Sequence, residues 1–140
     1  MNCAFGREQL KKLDRFSDIR LWNYDYLREK LNDLDDFIQV PLSGNRISWF
    51  GYTFTVRDGS PINRNHFGEY LESVGIRHRP FFAGNILKHK PFSHLKDSGF
   101  PVADKLMKDS LFIGCHTKMT KEDLDYIVEK VRIYVASCHT

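Results

Sequence analysis

Arg77 and Arg79 stand two apart in an extended segment, so their guanidinium groups project to one face of a strand. Gly84-Asn85 follows a few residues later, and Lys88-His89-Lys90 after that. Guanidinium forks beside exposed glycine amides can hold a phosphate or a diphosphate. The same charges could simply make a solvated strand edge unattractive to other strands, and both readings stand on the residues alone. Upstream, Ser48-Trp49-Phe50-Gly51-Tyr52 repeats a feature of Arg79-Pro80-Phe81-Phe82-Ala83-Gly84-Asn85. Each puts aromatics beside glycine and a polar group, as needed where backbone approaches a ligand or another subunit.

Other chemistry is poorly supported. His89 and His94 are five apart, and Cys115-His116 and Cys138-His139 are adjacent pairs, none of which matches a zinc-site spacing. There is no G-x-S-x-G elbow, and a catalytic Cys and its base normally come from separate segments. Cys115 therefore reads as a core residue closing a strand. No RNP-like signature accompanies Phe81 or Phe82, and a net charge of +3 from 21 basic and 18 acidic residues does not suggest nucleic-acid binding. Three cysteines without a C-x-x-C fit a reducing compartment. No apolar run could span a bilayer and no signal-peptide pattern is present, which makes the cytoplasm the expected location.

The elements that must carry these residues can be read from spacing. From about Phe5 to Leu34 there is no proline, and Leu10, Leu13, Ser17, Arg20, Tyr24, Leu27, Leu31 and Leu34 alternate by three and four. A helix of about 30 residues would run about 45 Å, whereas a domain this size is only about 30–35 Å across. Such a helix must bend or overhang, exposing Leu10, Leu13 and Phe16 for packing on something else. Ile47 to Val56 reads as a strand, and Asp58-Gly59-Ser60-Pro61 as a turn. Asn63 caps a helix from Arg64 to Val74 that ends at Gly75. Ile76 to Phe82 reads as a second strand, with a loop and a helical turn near Ile86 after it. Pro101 opens a helix to Lys108, Leu111 to Gly114 is a short buried strand, and Thr120 caps a last helix over Lys121 to Ala136. The expected fold is α+β: a small three-stranded sheet, mixed or antiparallel, packed against helices and preceded by a long helix. Residues 1–36 would form that helix and 37–140 the small domain.

Several segments in this order resemble one family. Met1-Asn2-Cys3-Ala4-Phe5-Gly6-Arg7-Glu8-Gln9-Leu10-Lys11-Lys12-Leu13 is similar to its helix M-Q-A-A-x-G-x-x-Q-L-x-K-L, and Arg20 with Asn23 to its R-x-x-N. Ser48 to Tyr52 resembles S-W-F-G-F, and Gly75-Ile76-Arg77-His78-Arg79 through Asn85 resembles G-I-x-T-R-x-x-F-A-G-N. Ala103 to Met107 and Asp123 to Tyr126 also correspond. The family is the DegT/DnrJ/EryC1/StrS group of fold-type-I pyridoxal-phosphate (PLP) enzymes acting on nucleotide sugars, and the likeness is greatest to the branch of lipopolysaccharide-biosynthesis sugar 3-dehydrases.

The resemblance implies a C-terminal small domain with the helix leading into it. In the family a large domain carries the Schiff-base lysine (histidine in the 3-dehydrases) and most phosphate contacts, and nothing here corresponds to it. The expectation is a free-standing or excised domain that holds no PLP or PMP itself and is not catalytic alone. Arg79, Asn85 and Lys105 are the substrate-binding candidates, retaining nucleotide-sugar affinity. Lys105 replaces a family arginine and loses the bidentate fork. The alternative expectation is an interaction module, either a homodimer or a partner to a large domain through the N-terminal helix.

Overall fold

The computed structural model describes residues 2–41, 47–96 and 98–138. The first expected helix is two, α1 (Asn2–Leu10) and α2 (Leu13–Leu31), joined by a turn at Lys11-Lys12. There the Lys12 amide bonds Gln9 O at 3.0 Å, three residues back, before the helical ladder resumes with Phe16 N to Lys12 O. The chain therefore both bends and overhangs. Cys3 to Arg15 are exposed apart from half-buried Gln9, whereas Asn23, Tyr24, Leu27 and Leu31 are buried.

A short turn carries the chain into β1 (Ile38–Gln39), a two-residue strand not expected from sequence. The remaining elements are β2 (Gly51–Val56), α3 (Arg64–Ser73), β3 (His78–Pro80), α4 (Pro101–Asp109), β4 (Ser110–Gly114) and α5 (Lys121–Ser137). The α+β class holds, with four strands among the described residues instead of three, all antiparallel in the order β1-β2-β4-β3. Ile47 to Phe50 lie outside the strand expected to begin at Ile47. The strand expected over Ile76 to Phe82 pairs only at three positions, because Pro80 has no amide to continue the ladder.

The caps that set α3 and α5 were legible in the chain. Asn63 Oδ1 accepts from the amides of Asn65 (2.9 Å) and His66 (3.2 Å). Gly75 takes φ +81°, and Gly75 N to Glu72 O with Ile76 N to Leu71 O closes the helix in a Schellman motif. Thr120 and Asp123 form a reciprocal capping box on α5.

Alternation along the strands makes two unlike faces. The inner face presents Ile38, Tyr52, Phe54, Val56, Leu111 and Ile113, all buried. Against them lie Tyr24 and Leu27 of α2, Phe67 and Leu71 of α3, and Leu124, Ile127, Val131 and Val135 of α5. Ring contacts Tyr24–Tyr52 and Phe54–Phe67 show how this core closes. The outer face presents Thr53, Thr55, Ser110, Phe112 and Arg79. α4 covers one end, where the Thr55 and Ser110 hydroxyls bond at 2.8 Å in a buried pair. The other end, toward β3, is open.

Candidate functional site

The open end of the outer face is built from both segments singled out in the sequence. Gly51 opens β2, and a Cβ there would lie 2.7 Å from a ring carbon of Phe112. Only glycine lets the Phe112 ring settle over the strand. Phe50 and Phe82 pack around that ring, with centroids 5.7 and 5.3 Å from it, and the Phe82 ring is nearly parallel at 25°. Phe50 and Phe82 are 66% and 70% exposed, so the cluster is a surface and not a core. Arg79 pairs in register with Phe112, and its exposed side chain has no hydrogen-bond or ion-pair partner among the described residues. The result is a phenylalanine platform with a free guanidinium at its side.

The loop that carries Phe82 is fixed to α4. Gly84 takes φ +59°, and a Cβ on it would come within 2.4 Å of Met107 Cβ. Asn85 is buried; its Oδ1 accepts from Leu87 N at 3.0 Å and its Nδ2 donates to Asp104 Oδ1 at 2.7 Å. The far ends of these loops are braced too. Arg20 donates to Trp49 O at 3.0 Å, Asn23 donates to His116 O at 2.9 Å, and the Cys115 thiol donates to Arg20 O at 3.3 Å. The R-x-x-N pair thus holds α2 against the backbone at one end of the β2–β4 pair.

The three candidate residues do not converge. Lys105 Nζ reaches the opposite end of the sheet, bonding Asp58 (2.6 Å), Asp109 (3.2 Å) and Val56 O (3.2 Å). Val56 lies three residues along β2 from Thr53, the register partner of Phe112, and two strand spacings separate β2 from β3. That puts the Lys105 anchor about 14 Å from the Arg79 backbone. The hydrogen bond to Asp58, and then that to Asp109, raises the Lys105 pKa above its ordinary value, and Lys105 in turn lowers that of Asp58. Asn85 is close to the platform, but all of its described bonds are internal. Arg79 is the candidate left free for a ligand.

The described residues contain no His/Cys/Asp/Glu group able to hold a metal ion. Cys115 is buried at the end of β4, as its position suggested, and burial pushes its thiol from 9.0 up to about 11. Phe112 falls in a segment that reads as uniformly buried, Leu111 to Gly114. Its period-2 place between Leu111 and Ile113 is the signal that turns it outward.

A model of the DegT/DnrJ/EryC1/StrS aminotransferase family matches residues 1–132. The chain belongs to this family. It is 35% identical over 136 residues to GDP-4-keto-6-deoxy-D-mannose 3-dehydratase of Escherichia coli O55:H7, spanning 94% of this chain and 35% of that protein. It is 30% identical over 135 residues to lipopolysaccharide biosynthesis protein RfbH of Salmonella typhimurium, spanning 93% and 31%. The solved E. coli GDP-4-keto-6-deoxy-D-mannose-3-dehydratase with bound hydrated PLP is similar at a TM-score of 0.81 and 34% identity, over 91% of this chain and 33% of that one. An aminotransferase from Psychrobacter cryohalolentis shares the fold at a TM-score of 0.87 and 17% identity, over 98% and 38%. The chain spans about a third of the length of these relatives.

Bonds to Asp58, Asp125 and Glu129 raise the pKa of Lys105, Lys121 and Lys130. They hold these three ammonium groups charged, the opposite of what a Schiff-base lysine needs.

Proposed function

We propose that this DegT-family domain forms one wall of a nucleotide-sugar site and is not a catalyst alone. The observation that carries this reading is the unpaired Arg79 guanidinium beside the exposed Phe50–Phe82–Phe112 platform. A diphosphate offers the acceptor geometry that a guanidinium fork takes. Relatives are named for GDP- and dTDP-linked sugars, and one solved relative was obtained with bound GDP-perosamine. Here Arg79 holds the anionic part of such a ligand, while Asn85 and Lys105 hold the scaffold.

Thermal unfolding with GDP-mannose tests the reading. Ligand at ten times its Kd stabilises the folded state by about 1.4 kcal/mol, a shift of roughly 3–5 °C for a domain of this size. The shift should vanish in Arg79→Ala. No shift of the wild-type chain at millimolar GDP-mannose would reject nucleotide-sugar binding.

A second reading rests on a different observation. Phe5, Leu10 and Leu13 are 69%, 68% and 53% exposed on the overhanging arm. An apolar arm favours an interaction module whose α1 and α2 are covered by a second copy or by a large domain. Sedimentation of the chain at high concentration tests the first option, and a monomer throughout would count against it.

A further inference from the structure

Phe82 is the one residue other than glycine with positive φ among the described residues, at +47°. A bulky side chain in this backbone region is strained. Strain in a buried residue can follow from packing, but Phe82 is 70% exposed. It also lies in a loop locked from both sides. Arg79 and Phe112 are ladder partners before it, and Gly84 against Met107 and Asn85 against Asp104 hold the chain after it. The loop has a second left-handed position two residues on, and there it carries glycine, Gly84; at the first it carries phenylalanine. The conformation turns the ring outward and nearly parallel to Phe112, next to the free Arg79.

We propose that Phe82 sacrifices local stability to present its ring as a stacking surface for a ring of the ligand whose diphosphate Arg79 holds. This inference rests on the preceding reading of the site and assigns a contact within it. The geometry calls for a ligand with a flat or apolar ring face joined to a diphosphate, and a nucleoside diphosphate sugar offers one at each end. Strained exposed residues persist where surrounding structure over-determines them, and such places are commonly ligand clamps.

The test uses Phe82→Gly and Phe82→Asn, both of which accept positive φ, in the full chain. Melting temperature and affinities for GDP and GDP-mannose are measured, with Arg79→Ala alongside. The expected result is a melting temperature that holds or rises in at least one variant, while affinity weakens about tenfold, the scale of one lost stacking contact. Weakening toward both ligands places the base on Phe82; weakening toward GDP-mannose alone places the sugar there. If both variants bind both ligands as the wild type does while Arg79→Ala does not, the stacking role is overturned and the wider reading survives. A melting temperature lowered by more than about 4 °C in both variants would make Phe82 a structural residue and overturn the proposal as well. If the wild type binds neither ligand, the wider reading fails and the stacking role falls with it.

Discussion

The Asn85 amide donates to Asp104 Oδ1 at 2.7 Å across the gap between the Phe82 loop and α4. The residue whose place beside a candidate phosphate contact suggested ligand binding ties the loop to the helix through this bond. Asn85→Ala should leave Leu87 N and the Asp104 carboxylate short of a partner, costing about 1–3 kcal/mol in urea unfolding. Asn85→Asp should cost at least as much, because two carboxylates would then face each other. Adding Asp104→Asn to Asn85→Asp restores one donor and one acceptor and should recover most of the loss. A ligand-contact role predicts the opposite pattern, with stability kept and no recovery.

Gly84 meets α4 at closer range. At φ +59°, with Met107 Cβ only 2.4 Å from where its own Cβ would stand, Gly84→Ala combines backbone strain with overpacking. The expected cost is about 3 kcal/mol. Pairing it with Met107→Gly, which removes the Cβ and Cγ that the new methyl meets, should relieve most of the steric share alone, since the left-handed backbone remains. Full recovery in the double variant would mean that the loop has no need of positive φ.

The ends of α3 and α5 and the inner face of α5 are legible in the chain because local chemistry decides them. Asn63, Gly75 and Thr120 supply cap geometry wherever they stand. The break after Leu10 has no such marker, since Lys11 and Lys12 are good helix formers; with Cys3 to Arg15 exposed apart from half-buried Gln9, little packing on the domain holds α1 and α2 in line. β1 is equally silent, being two residues long and defined only by pairing with Thr55 and Val56. At the site, charge and glycine pointed to Arg79 and its loop. They could not show that Lys105 pairs with Asp58, which is brought to it by folding, as well as with Asp109 four residues on in α4.

Tyr52 occupies the centre of the inner face at 1% exposure, and its hydroxyl has no partner among the described residues. Burial raises its pKa well above the ordinary phenol value. The ring packs against Tyr24 and Phe54, so the aromatic body is the stabilising part. Tyr52→Phe keeps that body and removes an unsatisfied polar atom. Stability should hold or rise by up to about 1 kcal/mol in urea unfolding. A loss above that size would reveal a partner for the hydroxyl, such as a buried water.

Cys115 gives the fold a sensitivity to alkaline conditions. Its thiol, 1% exposed and bonded to Arg20 O, is raised by burial from 9.0 to about 11. The unfolded chain releases this proton near pH 9 while the folded chain keeps it, so the folded state binds more protons between those values. Stability is therefore fully present below pH 9 and falls as pH rises toward 11, by about 2–3 kcal/mol for the whole shift. Tyr24, raised by burial from 10.0 to about 12, extends the decline to higher pH. In Cys115→Ala the chain loses packing at every pH, but the slope of unfolding free energy between pH 9 and 10 should flatten. Urea titrations at pH 8, 9 and 10 separate the two effects. An unchanged slope in Cys115→Ala would place the alkaline sensitivity elsewhere, with Tyr24 the first residue to replace.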